Sequence, residues 1–139
     1  MPAPNTCPIR RLNPPTLPDA GALGYSLISI AEPVRMAFIS GQVAARPDGT
    51  PAPDSLAEQM TIVASNARAV LAAVKASPQD VVMARVYVVD LTPQRLEAVM
   101  PAFLATFDGA RPSVTGIGVA ALAAPDLQVE MELIVRLPE

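Results

Sequence analysis

Apolar residues in the middle of the chain recur at intervals of three and four, which is the spacing of one face of an α-helix. This stripe consists of Leu56, Met60, Val63, Ala67, Val70, Leu71 and Val74. Ser55 and Glu58 have the spacing of a capping box at its start. Pro78 lacks the backbone N–H that a continuing helix needs. The pattern therefore predicts a long amphipathic helix over residues 55–76.

A second stripe with the same period lies further along the chain. It consists of Leu96, Val99, Met100, Phe103, Leu104 and Phe107. Thr92 can cap the first turn, and Pro93 suits the first helical position because its missing N–H is not needed there. Gly109 is typical of a helix end. These signals predict a second helix between Thr92 and Gly109.

Short segments rich in Val, Ile and Phe predict β-strands, because such side chains pack well on a pleated sheet. The segments are residues 25–32, 35–40, 81–89, 113–122 and 127–137. Pro33 separates the first two, which we interpret as two strands joined by a turn, and Gly41 ends the second.

Residues 1–18 contain six prolines, so we predict an extended N-terminal arm with a short edge strand at Ile9–Leu12. Residues 19–139 are expected to form a single domain, since the chain has the length of one domain and no internal repeat. The predicted order is strand, strand, helix, strand, helix, strand, strand, which is an α+β arrangement.

Two helices can cover only one face of a sheet of five or six strands. In the last strand, Val129, Met131, Leu133 and their apolar neighbours alternate with Glu130 and Glu132. The all-apolar side should pack under the helices. The opposite side must then be buried in another way, and association with identical copies is the simplest route.

The strand at residues 81–89 alternates in the same way, with Val82, Ala84, Val86 and Val88 forming its apolar set. Arg85 and Tyr87 should therefore share the helix-free face with Glu130 and Glu132, provided that no β-bulge inverts the alternation. One interpretation is that these groups form ion pairs between subunits. The other is that one carboxylate is partly buried and performs acid–base chemistry.

Two glycines, Gly116 and Gly118, lie inside the predicted strand at residues 113–122. Glycine within a strand usually marks a bulge or a close approach by a ligand or another backbone. Tight packing between subunits explains it equally well, so both interpretations stay open.

Composition narrows the chemistry. The chain is 51% hydrophobic and 17% charged with a net charge of −3, and it lacks the basic patch of a nucleic-acid-binding protein. It contains no histidine, which removes serine and cysteine triads of the usual kind and histidine zinc sites. Without a glycine-rich phosphate loop either, we expect no metal and no cofactor.

The single cysteine, Cys7, excludes a disulfide within the chain and is typical of a reducing compartment. We expect no signal peptide, because the N-terminus lacks an apolar segment. No apolar run reaches the ~18 residues of a membrane span. The expected location is the cytoplasm, with no membrane partner.

Several segments together resemble the Rid (YjgF/RidA) family, in the right order and over residues 9–136. They are Arg11-Leu12-Asn13-Pro14, Gly24-Tyr25-Ser26, Phe38-Ile39-Ser40-Gly41-Gln42-Val43, Asn66-Ala67-Arg68-Ala69-Val70-Leu71, Asp80-Val81-Val82, Val86-Tyr87-Val88-Val89-Asp90-Leu91, Val119-Ala120-Ala121-Leu122 and Val129-Glu130-Met131-Glu132. The resemblance implies a chorismate-mutase-like α+β fold with two helices on one face of a mixed sheet. It also implies a homotrimer whose small-molecule clefts lie between subunits.

The resemblance further implies hydrolysis of reactive imines and enamines. Tyr25, Ser40 and Gly41 match ligand-binding positions of the family, and Glu130 matches the carboxylate thought to handle the attacking water. The family arginine that binds the substrate carboxylate falls on Val114, and a position that is often Asn falls on Met100.

This chain therefore resembles a divergent member that lacks the deaminase-type arginine. Arg85 could compensate if it projects onto the same face of the sheet as Val114 from another strand, and Arg111 could do so only with a rearrangement of the backbone. Losing a charge-assisted contact of this kind removes roughly 1.5–3 kcal/mol, which is enough to change the substrate. The expected substrate is then an imine, enamine or related C–N metabolite that lacks this carboxylate or places it differently.

A non-catalytic ligand-binding or regulatory trimer is the alternative function, favoured by the apolar residues at positions 100 and 114. A ribonuclease, a label that some family members carry, is disfavoured by the acidic balance of charge and the absence of histidine. These hypotheses differ in whether bound ligand is turned over.

Overall fold

The computed structural model describes residues 9–138, so the first eight residues, with Cys7 among them, and Glu139 lie outside the described part. It contains six strands, two α-helices and two single 3-10 turns. The strands are β1 (Ile9–Leu12), β2 (Ile28–Ala31), β3 (Met36–Gln42), β4 (Val81–Val89), β5 (Ser113–Val119) and β6 (Val129–Arg136). The helices are α1 (Leu56–Ala73) and α2 (Pro93–Phe107), and the 3-10 turns are Gly21–Leu23 and Pro78–Asp80.

The main sheet has four strands in the order β3-β6-β4-β5. Strands β4 and β5 run parallel because α2 connects them as a crossover, and the other neighbours are antiparallel. Both helices pack on one face, over a core that includes Val63, Phe103 and Met131. The predicted α+β fold, with two helices on one face of a mixed sheet, is confirmed.

The predicted N-cap hydrogen bonds are present at the start of both helices. The hydroxyl of Ser55 accepts a hydrogen bond from the amide of Glu58, and the hydroxyl of Thr92 accepts one from the amide of Arg95. Helix α1 ends three residues earlier than predicted, since Lys75 adopts a left-handed conformation with φ of 57°. The cap at Thr92 fixes the start of α2, which lines the cleft described below.

The first two strands form a separate hairpin, which corrects the expectation of one larger sheet. Strand β1 is present at Ile9–Leu12 as predicted, and it pairs antiparallel with β2. Ser26, just before β2, bridges to Ser113 at the start of β5, whereas β3 occupies the opposite edge of the sheet. Strands β2 and β3 therefore do not pair, and Pro33 lies in the connection between them.

The core face of β6 is as predicted, with Val129, Met131, Leu133 and Val135 at most 1% exposed. In β4, the predicted apolar set holds from Ala84 onward but is wrong at its start. A register shift between Val81 and Met83 puts Val81, rather than Val82, into the core. This bulge precedes Arg85, so the face assigned to Arg85 and Tyr87 is unaffected.

A buried glutamine fixes the loop that precedes β6. Gln59 in α1 is fully buried, and its amide nitrogen donates to the carbonyls of Pro53 and Asp126, each at 2.8 Å. Its oxygen accepts from the amide of Gln128 at 2.9 Å. The side chain of Gln128 in turn accepts a hydrogen bond from Arg95 of α2. This network sets the position at which β6 begins, at Val129, one residue before Glu130.

Candidate functional site

Four polar side chains meet on the helix-free face of the sheet, as the alternation predicted. Arg85 of β4 lies opposite Glu132 of β6, and Tyr87 lies opposite Glu130. All four are partly exposed. The central strands of the sheet thus carry two carboxylates, a guanidinium and a phenol at adjacent positions.

One of the two carboxylates is bound through one of its oxygens. Oε1 of Glu132 accepts a hydrogen bond from the Tyr87 hydroxyl at 2.5 Å and lies 3.2 Å from Nη1 of Arg85. The hydrogen bond to Glu132 is the main cause that raises the pKa of the Tyr87 phenol above its usual range. The side chains of Arg85 and Glu132 are 38% and 33% exposed, so the ion pair adds little to stability. The hydrogen bond from Tyr87 and the ion pair with Arg85 hold these two side chains next to Glu132.

The other carboxylate has a different environment. Within residues 9–138, the Glu130 side chain forms neither a hydrogen bond nor an ion pair. It lies directly against the backbone of Gly41 in the neighbouring strand, where a Cβ atom would collide with its carboxylate. The register of β3 and β6 shifts between Ile39 and Gln42, and this irregularity brings Gly41 next to Glu130. The adjacent Ser40 is exposed.

A second candidate site lies on the opposite face, between α2, β4, β5 and the 3-10 turn that precedes β2. It is a cleft of about 460 Å³. Its lining is almost entirely apolar and consists of Leu23, Tyr25, Val86, Leu91, Leu96, Met100, Phe103, Leu104, Val114 and Gly116. Three of the predicted ligand-binding residues, Tyr25, Met100 and Val114, are therefore brought together here.

A tight turn places Tyr25 at this cleft. Gly24 has a φ of 89°, and a Cβ atom on it would lie 2.6 Å from Cδ2 of Leu104. Glycine is thus required both by the backbone conformation and by the close packing on α2. The next residue, Ser26, is anchored by hydrogen bonds from its amide to the carbonyl of Pro112 and from its hydroxyl to the carbonyl of Arg111.

The predicted site residues fall into two groups, which lie on opposite faces of the main sheet within one chain. Val114 pairs with the buried Ala84 and faces the helices, whereas Arg85 pairs with Thr115 on the other face. The expectation that Arg85 shares the face of Val114 is therefore wrong within a single chain. The Arg111 side chain lies near Gly21 and does not line the cleft. No cationic side chain among the described residues lines this cleft.

The two strand glycines have different surroundings. A Cβ atom on Gly118 would lie only 3.0 Å from Cβ of Leu91, so packing requires glycine there. A Cβ atom on Gly116 would meet only Val86, at 3.9 Å, because the space beside it opens into the cleft. Both contacts lie within one chain, so approach by a ligand and packing between subunits stay predictions for these glycines.

Four leucines that line the cleft were missed as site residues by sequence reasoning. Leu96 and Leu104 belong to the apolar stripe of α2, which was assigned to the core, yet they are 39% and 38% exposed. Leu23 ends the 3-10 turn Gly21–Leu23 and Leu91 lies in the loop between β4 and α2, so neither gave a periodic signal. The sequence feature that could have identified Leu96 and Leu104 is the width of the apolar stripe of α2, which is greater than the sheet beneath it can bury.

Neither a metal site nor a membrane span is found in the described part of the chain. Residues 9–138 contain no cluster of three or more metal-ligating side chains. Neither helix among them is long and apolar enough to cross a bilayer. The candidate chemistry therefore rests on the carboxylate beside Gly41 and on the apolar cleft.

The sequence of the chain is similar to those of known proteins. The family model described as Endoribonuclease L-PSP matches residues 20–137. The RutC family protein YjgH of Escherichia coli (strain K12) is 35% identical over 103 residues, which are 73% of this chain and 76% of that protein.

Solved structures with the same fold include two Rid proteins. YyfB from Yersinia pestis has a TM-score of 0.88 and 35% identity, covering 94% of this chain and 99% of that chain. RidA from the Antarctic bacterium Psychrobacter sp. PAMC 21119 has a TM-score of 0.67 and 26% identity, covering 81% and 88%. On the family match and these relatives, the chain belongs to the Rid (YjgF/RidA) family.

Proposed function

We propose that this protein hydrolyses an imine, an enamine or a related C–N metabolite, with Glu130 as the base that activates water. The observation that carries the proposal is the contrast between the two carboxylates of β6. Glu132 is bound by Arg85 and Tyr87, whereas Glu130 lies unpaired against Gly41. An unpaired carboxylate beside exposed backbone is suited to accept a proton from water.

The reaction would proceed in two steps from the imine, to which an enamine first tautomerises. The water oxygen bonds to the carbon of the protonated imine while Glu130 accepts a proton from that water, which gives a neutral carbinolamine. Glu130 then returns the proton to the amino nitrogen, and the C–N bond breaks as the carbinolamine hydroxyl gives its proton to Glu130, so that ammonia leaves a carbonyl product. One water is consumed for each ammonia released, and no redox partner is needed.

The site is completed by a second copy of the chain in this proposal. Glu130 and the apolar cleft lie on opposite faces of one sheet, so a single ligand cannot reach both in one chain. The helix-free face also carries an apolar row across three strands, formed by Phe38, Ile134 and Met83. Phe38 is 77% exposed, and a second copy would bury it. We propose the homotrimer implied by the family resemblance as this assembly.

The other predicted ligand contacts follow from the same arrangement. Ser40 and Gly41 would contribute backbone groups beside Glu130, and Arg85 would offer a cation on that face. Tyr25, Met100 and Val114 would come from the neighbouring copy. We keep the expected cytoplasmic location as part of this proposal, in line with a substrate formed by metabolic enzymes.

Ammonia release tests the catalytic role. Enamines generated in situ by a pyridoxal-phosphate enzyme should lose ammonia faster with this protein than in buffer alone. Glu130→Gln should lower the acceleration about 10²- to 10⁴-fold, which is the usual contribution of general base catalysis. Glu132→Gln removes the same charge from the paired carboxylate and should cost less than about tenfold. Equal losses in both variants, or no acceleration with any amine, would contradict the proposal.

Assembly is tested separately by light scattering. Phe38→Glu places a charge in the apolar row of the helix-free face and should shift the molar mass toward the monomer. Thr61→Glu adds the same charge on the exposed side of α1 and should leave the mass unchanged. A wild-type monomer at micromolar concentration would refute the inter-subunit site.

A non-catalytic ligand-binding or regulatory trimer is the second candidate, and the apolar lining of the cleft favours it. With Val114 and Met100 in place of a cation and an amide, the cleft can hold a ligand without polarising it. Thermal-shift screening against metabolites, followed by product analysis, separates the two functions. Strong stabilisation without turnover of any bound compound would support this candidate.

We do not propose ribonuclease activity, although the description of the matching family model names it. The chain has a net charge of −3 and contains no histidine. Binding of RNA depends on neutralising phosphates with lysine and arginine, which this balance of charge opposes. RNA cleavage by the purified protein above that of Glu130→Gln would overturn this view.

A further inference from the structure

The cleft on the helix face offers very little to a charged ligand. Tyr25 carries the one polar side-chain group among the residues that line it, and the rest of the lining is aliphatic, aromatic or glycine. A carboxylate placed between Val114 and Met100 would lose hydration without gaining a cation in exchange, and the Tyr25 hydroxyl is the one side-chain donor in the lining. Its volume of about 460 Å³ lies within the range of small-molecule sites.

The space beside Gly116 extends this cleft toward the sheet. The backbone at Gly116 does not require glycine, since its φ lies outside the left-handed region. A Cβ atom there would make only an ordinary contact with Val86. The absence of a side chain at this position therefore enlarges the cleft and is not explained by packing within the chain.

We propose that the cleft selects oxo and imino compounds that carry an apolar chain and no carboxylate, and that Gly116 determines how large this chain can be. The identity of the reacting group rests on the proposed function. The selection itself rests on the lining of the cleft. Gly116 and Val114 are thus specificity-determining residues, whereas Glu130 acts on the reacting carbon.

The rim of the cleft is consistent with such a ligand. Leu96 and Leu104 are more than a third exposed and Leu23 is 61% exposed, although all three side chains line the cleft. An apolar chain between them would remove this surface from water. The burial of one methylene corresponds to about a fourfold gain in binding constant. Affinity should therefore rise with chain length until the space beside Gly116 is filled.

Calorimetric titration with product analogues tests the selection without any turnover. The probes are 2-heptanone and 2-oxoheptanoate, which share one alkyl chain and differ in a methyl group against a carboxylate. We expect the ketone to bind at least tenfold more tightly, and 2-pentanone to bind about tenfold less tightly than 2-heptanone. Equal affinity for ketone and oxo acid, or no dependence on chain length, would overturn the proposal.

Two variants test the named residues. Gly116→Val should weaken binding of 2-heptanone at least tenfold. Thr115→Val also places a valine in β5, but on its other face, and should not weaken this binding. Val114→Arg should reverse the preference in favour of 2-oxoheptanoate, with Val114→Met as the uncharged control. Unchanged affinity of the Gly116→Val variant for 2-heptanone would count against the role of Gly116. A change in the molar mass of this variant would also count against it, because the cleft would then be occupied by a neighbouring copy.

This outcome is independent of the catalytic proposal. If Glu130→Gln loses no activity but the ketone preference and the Gly116 effect persist, only the catalytic role of Glu130 fails. If ammonia is released in a manner that depends on Glu130 but 2-oxo acids bind as well as ketones, only the selection fails.

Discussion

Replacing Gln59 with leucine should destabilise the protein more than any ordinary surface change. Gln59 is fully buried under the start of α1, and leucine has a similar size but no polar atoms. Three hydrogen bonds disappear with its amide, namely those to the carbonyls of Pro53 and Asp126 and that from the amide of Gln128. These three backbone groups lie in the loops that the Gln59 side chain connects, so they cannot move to find new hydrogen-bond partners.

The magnitude follows from the number of groups left without a partner. A buried donor or acceptor that loses its partner costs about 1–3 kcal/mol. Some water can reach the two carbonyls, since both bonds are only partly buried. We therefore expect a loss of about 3–5 kcal/mol, which is a large share of the ~5–15 kcal/mol that stabilises a typical domain.

Urea unfolding followed by circular dichroism measures this loss. Gln94→Leu makes the same substitution at an exposed position of α2 and should change the free energy of unfolding by less than about 0.5 kcal/mol. Amide exchange adds a local readout, because the N–H of Gln128 should exchange faster in Gln59→Leu. A loss below about 1 kcal/mol, with the Gln128 amide still protected, would refute the role assigned to this network.

Three further predictions concern the two candidate sites. Gly24→Ala should lower the stability by about 1–3 kcal/mol in thermal unfolding, because its φ of 89° and its contact with Leu104 both exclude a Cβ atom; an unchanged melting temperature would contradict this. Gly41→Ala should displace Glu130 and reduce ammonia release as much as Glu130→Gln does, with little change in the binding of 2-heptanone. The raised pKa of Tyr87 favours the neutral phenol in the folded state, so its contribution to stability is full below pH ~10 and is lost as pH rises through the raised value; alkaline unfolding should therefore depend less on pH in Tyr87→Phe.

Strand alternation predicted the polar face from the sequence because one side of β6 is uniformly apolar. Val129, Met131 and Leu133 can only be buried, so Glu130 and Glu132 had to lie opposite. The same reasoning was wrong at the start of β4, where a bulge shifts the register at Val82. All residues at positions 81 to 83 are apolar, so the sequence contains no polar marker that would reveal the shift.

The separate hairpin of β1 and β2 could not be predicted for a different reason. Strand pairing depends on which edge of the sheet the chain reaches after the turn at Gly24, and local propensity does not determine this. The decisive contacts are long-range, such as that between the hydroxyls of Ser29 and Ser113 at 2.7 Å. Sequence patterns identify strands, but only such contacts select their partners.

The cleft shows a similar limit, and it explains why motif comparison alone gave an incomplete view of the site. Aligning Val114 with the family arginine identifies a loss, whereas the structure shows what replaces it. Removing a cation from a polar site would leave an empty polar pocket, but here the neighbouring positions are apolar as well, from Leu96 and Met100 to Leu104. Because nearly the whole lining is apolar, the cleft forms a binding surface that suits apolar ligands instead of carboxylates.

The two faces of the sheet have separate roles in the proposed site. The carboxylate of Glu130 and the apolar cleft belong to one chain, and under the proposed function they serve one ligand only across a boundary between copies. Substitutions in the cleft should therefore change which compound binds and leave the rate constant for the bound compound nearly unaltered, whereas substitutions at Gly41 or Glu130 should do the reverse. If the proposed trimer forms, mixing Gly116→Val and Glu130→Gln subunits should restore some activity, because a mixed trimer would contain boundaries where an unaltered cleft meets an unaltered carboxylate.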